Sequence, residues 1–206
     1  MIDEELLNDI RRSKNDGKEG KSKLVVQCNE ILNTLKDFIM GMKNMETASA
    51  ILSLKRWIST KGKNNKIKFK RGDIVEVDLG LGYGFEMSYL HPCIVLEDSN
   101  AGFCLLVPCS TGKFGKRNKY IVDAYTNDGF KSNTGVLIDS FRCVSKTRIN
   151  KKVGTVSLDF YDKVNDAILK EYFKKQVLKY ENLKKDYSIL VQENIMLKEK
   201  INDYKN

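Results

Sequence analysis

Three textures of apolar and polar residues succeed one another along the chain. The first spans residues 1–66. It opens with a short helix-like stretch, MIDEELLNDI, and continues into RRSKNDGKEGKSK, whose charge, glycines and scarcity of apolar residues predict a mobile basic linker. Helical spacing follows. In ILNTLKDFIMGM, Ile31, Leu35, Phe38, Ile39 and Met42 share one face, and after a break near Thr47 a second run sets Ile51, Leu52, Leu54, Lys55 and Ile58 around Trp57. These predict a helical hairpin packed on the rest of the protein, with KGKNNK as a polar connector.

Residues 67–160 have a different rhythm, with short runs rich in β-branched and aromatic residues between clusters of Gly, Asn, Asp and Ser. The runs are IKFKRGDIVEVDLG, PCIVLED, FCLLVPC, KYIVDA, TGVLIDS and FRCVSKTRI. Strands so closely spaced predict a small barrel or sandwich. Pro92 and Pro108 sit at strand starts or ends, where a missing amide donor does least harm.

Residues 161–206 carry a heptad pattern. From Leu169 the core positions are Phe173, Gln176, Tyr180, Leu183, Tyr187, Leu190, Asn194, Leu197, Ile201 and Tyr204, about five heptads with steps alternating between four and three. The d positions are mostly leucine. Asn194 falls at an a position, where its amide pairs with a symmetry mate and fixes the register of a parallel dimer. Glu193 at g would attract Lys198 at e of the partner, whereas Lys179 and Lys184 would repel. The expectation is a C-terminal coiled coil that dimerises the protein; the alternative is one amphipathic helix packed back on its own barrel.

Composition narrows the class. The chain has 36 Lys and Arg against 27 Asp and Glu, and the excess is spread over all three segments, so it marks no basic tail but favours a polyanionic partner. No apolar run approaches the roughly 20 residues that span a bilayer, and the acidic start resembles no export signal. Cys28, Cys93, Cys104, Cys109 and Cys143 are odd in number and form no CxxC, which predicts reduced core thiols in a cytoplasmic protein. One histidine and scattered thiols offer no metal-ligand set, and no cofactor is expected.

That one histidine, His91, precedes Pro92 at the mouth of a buried strand. Three roles suit it: proton transfer near neutral pH, phosphate binding, or structural packing. Downstream, GKFGKRNK puts Lys113, Lys116, Arg117 and Lys119 around Phe114. This is either a backbone track with a base-stacking platform for single-stranded RNA or an ordinary solvated hairpin loop. Asp73 and Asp78 suit strand ends and turn caps. Arg142 suits an ion pair as well as it suits RNA contact. Tyr83 and Phe85, in GLGYGFEM, suit a lid or a plain connecting loop.

Four blocks in order, over roughly residues 67 to 170, resemble the PemK/MazF family of toxin endoribonucleases. Arg71 to Ile74 and Asp78 to Gly80 match its Arg-Gly-Asp-Ile and Asp-Leu-Gly. Gly84, Glu86 and Pro92 match Gly-x-Glu and the proline of its Arg-Pro, whose arginine is replaced here by His91. Pro108, Cys109 and Ser110, with Thr111 beside them, stand for Pro-Ile-Thr. Asp139 to Arg142 and Lys146, Thr147, Arg148 and Gly154 stand for the last block.

The resemblance implies a mainly β, SH3-like small barrel, usually dimeric, that cuts single-stranded RNA without metal. It implies attack by the ribose 2′-OH, leaving a 2′,3′-cyclic phosphate and a 5′-OH. The family credits catalysis to the Arg and Thr positions. Carried over, the catalytic residues are His91, Ser110 and Thr111, with Glu86 orienting the imidazole. The RNA contacts are Arg71, Lys113, Phe114, Lys116, Arg117, Lys119 and Arg142. The basic loop would supply the fixed charge lost with the arginine. The implied partners are RNA, a cognate antitoxin and a second copy of the chain. The competing readings are a non-catalytic nucleic-acid or protein-binding module on the same barrel, and a poison of a large enzyme such as DNA gyrase.

Overall fold

The computed structural model describes residues 2–13, 18–99 and 101–203. Helices α1 (Glu4–Ser13), α2 (Lys18–Met40) and α3 (Asn44–Thr60) come first. The predicted linker is therefore shorter than expected: Arg11 to Ser13 end α1 and Lys18 to Lys23 begin α2, because KEGKSK runs without interruption into the periodic LVVQCNEIL. Residues 14–17 of that linker lie outside the described residues. The break between the second and third helices falls at residues 41–43, ahead of Thr47. Thr47 instead closes the turn, its hydroxyl donating to the carbonyls of Ile39 (2.8 Å) and Met42 (3.3 Å). Of the expected apolar faces, Ile39 is buried, whereas Phe38, Trp57 and Ile58 stay open to solvent.

Seven strands follow: β1 (Asp73–Asp78), β2 (Leu90–Asp98), β3 (Phe103–Ser110), β4 (Ile121–Ala124), β5 (Thr134–Leu137), β6 (Arg142–Ser145) and β7 (Ile149–Thr155). All pairs are antiparallel, in the order β4-β5-β3-β2-β1-β7, with β6 also on β3. β3 divides its outer edge, pairing Phe103–Leu106 with β6 and Cys109–Ser110 with β5. The ladder does not close on itself, as a full barrel would require. The single turn Lys146–Arg148 carries the chain from β6, on one edge, to β7, on the other, so the covalent chain bridges where hydrogen bonds do not.

Alternation sorts the strands into two cores. Val75, Val77, Cys93, Val95, Cys104, Leu106, Val144 and Ile149 form the inner cluster. Ile74, Ile94, Val107, Cys109 and Val136 form the other, together with Phe160, Val164 and Ile168 of helix α4 (Leu158–Tyr172). Ser157 caps α4, accepting from the Phe160 amide at 3.3 Å. Inside the inner cluster's rim, Lys146 is 3% exposed and pairs with Asp98 at 2.6 Å. The cysteines divide: Cys93, Cys104 and Cys109 are buried, but Cys28 and Cys143 are exposed, so those two are not the core thiols expected. All five are free.

Helical structure breaks at Phe173 and resumes as α5 (Lys174–Asp203). The segment from residue 161 to Tyr172 thus packs on the sheet, and the heptad positions from Gln176 to Ile201 belong to α5, with Tyr204 outside the described residues. α5 does not fold back on the barrel: Tyr180, Leu183, Tyr187, Leu190, Leu197 and Ile201 are all more than half exposed. Among the described residues, no helix is long and apolar enough to cross a membrane.

Candidate active site

The chain enters β2 through a closed loop. Leu79 donates its amide to the Tyr89 carbonyl and Tyr89 returns the bond to Gly80, both at 2.7 Å. Tyr89 has φ 65°, the one non-glycine residue in the left-handed region among those described, a strained turn immediately before Leu90 and His91. His91 then faces Val77 across the β1–β2 ladder, and Val77 belongs to the inner cluster, so the imidazole projects to that same face. On the other side, Cys93 faces Pro108; two residues further along each strand come His91 and Ser110. The structure therefore sets the two predicted residues at one end of adjacent strands.

His91 is half-buried. Burial pushes its pKa below the ordinary 6.5, and hydrogen bonding with the backbones of Cys109 and Ser88 opposes that without overcoming it. The imidazole is neutral at pH 7. Arg142, at the start of β6, reaches the loop that leads into β2. Its Nη2 donates to the Met87 carbonyl (3.4 Å), its Nη1 stands 3.7 Å from the Glu86 carboxylate, and its charge is felt at the Cys93 thiol. Burial nonetheless pushes that thiol up to about 12, so Cys93 is no nucleophile. Glu86 is placed on Arg142 and on the Tyr83 amide (3.4 Å); the groups against the imidazole are backbone.

Past Ser110 the chain makes the single turn Thr111–Lys113, held close over β5. Gly135 faces Ser110 in the β3–β5 ladder, and a Cβ there would lie 2.7 Å from the Lys113 carbonyl carbon. Only glycine leaves that room. Phe114 packs edge-on against Tyr125 with centroids 5.3 Å apart, and Gly115 donates to Asp123 (3.0 Å). Lys113, Lys116 and Arg117 are exposed, without an ion pair among the described residues. Lys119 is committed elsewhere, bonded to Glu171 of α4 at 2.8 Å and lying over Tyr120. Arg71 is held by Glu97, six residues along β2 from His91, about 20 Å at strand rise. The structure thus sets His91 next to Ser110, with Thr111 and the near half of the basic loop following it, pairs Glu86 with Arg142 instead of His91, and leaves Arg71 apart.

Asp73 and Asp78 are buried. Asp73 accepts from the Lys70 amide and pairs with Lys152 at 2.5 Å. Asp78 takes the Ser53 hydroxyl (2.9 Å), the Arg56 guanidinium (2.5 Å) and the Gly80 amide (3.0 Å). Sequence reasoning missed Gly135 and, though it expected the helices to pack on the rest of the protein, the Ser53 and Arg56 bonds to Asp78: the first looks like one more strand glycine, and the second join residues more than twenty positions apart. Among the described residues no group of three or more His, Cys, Asp or Glu is placed to hold a metal ion.

Residues 70–172, half of the chain, match the family described as PemK-like, MazF-like toxin of type II toxin–antitoxin systems. No curated protein matches. Among solved structures, the chain is similar to MazF of Deinococcus radiodurans, at 17% identity over 50% of this chain and 96% of that one, with a TM-score of 0.44. It is similar also to an endoribonuclease in complex with its cognate antitoxin from a Mycobacterial species (18% identity, 50% and 93% covered, TM-score 0.40). A third is the Mycobacterium tuberculosis toxin MazF-mt6 (12%, 48% and 93%, TM-score 0.39). The family match carries the assignment: this chain belongs to the PemK-like, MazF-like toxins of type II toxin–antitoxin systems, a family of endoribonucleases.

Proposed function

We propose that the protein is a toxin that cleaves single-stranded RNA without metal, through 2′-OH attack on the adjacent phosphate. The observation that supports this reading is a neutral, half-buried His91 set next to Ser110 at the end of adjacent strands. Neutral His91 takes the 2′-OH proton as the 2′-oxygen bonds to phosphorus. The P–O5′ bond breaks, and the imidazolium returns its proton to the departing 5′-oxygen, leaving a 2′,3′-cyclic phosphate and a 5′-OH. Hydroxyls of Ser110 and Thr111 and the fixed charge of Arg142 steady the non-bridging oxygens, a task for which arginine's planar donors suit phosphate geometry. Arg142 in this way restores the cation missing from the position of His91. Lys113, Lys116 and Arg117 guide the phosphate backbone.

The partners proposed are single-stranded RNA, a cognate protein antitoxin as membership of a type II system entails, and a second copy of the chain through α5. The working compartment is the cytoplasm. The test is cleavage of an RNA panel in EDTA with analysis of the ends. Cyclic phosphate ends that vanish in folded His91→Ala support the proposal; full activity in His91→Ala removes His91 from the chemistry. A folded wild type that cuts no RNA favours the binding module instead, or a gyrase poison if it blocks supercoiling.

A further inference from the structure

Helix α3 lies outside the family-matched residues, yet it is tied to the barrel at Asp78 by Ser53 and Arg56. Burial alone would raise the Asp78 pKa, but the bonds from Arg56, Gly80 and Ser53 outweigh it and hold the carboxyl below its ordinary 3.8, so the tie is ionic at neutral pH. From the opposite side Arg148, in the β6–β7 turn, donates to the Asp78 carbonyl at 3.3 Å and passes over Gly80. Between α3, this turn and the end of β1 opens a cleft of about 680 Å³. Its walls carry Arg56, Lys61, Lys63 and Arg148 against one carboxylate, Asp78. Lys61, Lys63 and Arg148 are exposed, with no ion pair among the described residues. On the same wall stands Trp57, the sole tryptophan, 56% exposed although a buried site would be its ordinary place.

We infer that this cleft is a second binding site for single-stranded RNA, with the basic side chains on phosphates and Trp57 stacked on a base. An excess of cations beside one open aromatic face is the combination that holds single strands irrespective of sequence. The volume lies within the range of about 300 to 1,000 Å³ of small-ligand sites. The cleft also adjoins the strand end bearing His91. Val77 pairs with His91 on one side and with Ile149 on the other, and Ile149 lines the cleft, two strand spacings or about 10 Å from His91. A strand leaving the scissile position would pass over Gly80 and Leu81 into it. The inference rests on the RNA-cleaving reading for its ligand class.

The experiment titrates a non-cleavable 2′-O-methyl RNA hexamer into the full chain and follows Trp57 fluorescence, which has no other tryptophan to confound it. A saturable change is expected. Lys61→Ala with Lys63→Ala should weaken it at least about tenfold and lower the slope of log Kd against log salt by about 1.4, two single-strand phosphate contacts. No fluorescence response, or a double variant that binds like wild type, would overturn the inference. So would a response to hexaglutamate in place of RNA, which would assign the cleft to an acidic peptide. Cleavage of unmodified RNA is measured in parallel. Cutting without a Trp57 response rejects the cleft alone; a lysine-dependent response without cutting keeps the cleft and rejects the endoribonuclease.

Discussion

Gly135 faces Ser110 across the β3–β5 ladder, and the turn that follows Ser110 lies so close that a methyl group on Gly135 would meet the Lys113 backbone at 2.7 Å. Gly135→Ala must therefore push the Thr111–Lys113 turn away from β5. The expected cost is about 1–3 kcal/mol of stability, typical of an inserted methyl group, with a larger proportional loss of RNA cleavage because the displaced turn carries Thr111. Chemical denaturation alongside cleavage rates checks this. Wild-type cleavage in a destabilised Gly135→Ala would separate the turn from the site.

His91 should set the acid limb of the pH–activity profile. As a base it must be neutral, and burial lowers its folded pKa, so the rate should rise with pH through a midpoint below 6.5. The stability sign is separate: a histidine with a lowered folded pKa disfavours the native state as pH falls through the unfolded value of about 6.5. A midpoint above 6.5 would assign the limb to another group.

Arg142 should be replaceable only by another cation. Arg142→Ala is expected to lower kcat by about 10²–10³-fold, the loss typical of one preorganised donor, and Arg142→Lys to recover part of it. Equal activity in the alanine and lysine variants would show that its charge plays no part.

The Lys146–Asp98 pair is buried at 2.6 Å, and Lys146 Nζ also donates to the Ile67 carbonyl at 3.1 Å. Lys146→Met should cost about 3–5 kcal/mol in urea unfolding, because it removes the counter-charge from a buried carboxylate. Adding Asp98→Asn should recover part of the loss. Additive losses in the double variant would deny the coupling.

Removing α5 by ending the chain after Phe173 should reduce the oligomer in sedimentation more than it reduces cleavage, since α5 touches little beyond α4 and exposes its whole heptad face. A truncated chain that stays dimeric but stops cutting would give α5 a part in the site.

Much of the fold was legible because its signals are local. Alternating apolar runs located β1 to β6, but β7 was hidden: after the buried Ile149, NKKVGT is largely polar and exposed, and it forms a strand only because β1 offers it an edge. The heptads were legible too, whereas α4's burial was not, since an amphipathic pattern does not say whether its apolar face meets a sheet or another chain. At the site, the motif blocks assigned His91 and Ser110 to the family's Arg and Thr positions, and the strand register sets these two residues near each other. Glu86's attachment to Arg142 was not readable, because it depends on where β6 lies on β3.

The sequence by itself determined the class of this protein: the order of its β runs, the family blocks, the histidine in place of an arginine, and the heptads beyond them. These follow from period, composition and spacing, which neighbouring residues set. Only the tertiary structure decided which charges meet. Arg142 comes to Glu86 in the loop ahead of β2, Arg71 is held at the far end of β2 by Glu97, and Arg56 crosses from α3 to Asp78. Each outcome turns on strand register and helix docking between segments far apart in the chain, where electrostatics act through space and leave no local pattern to read.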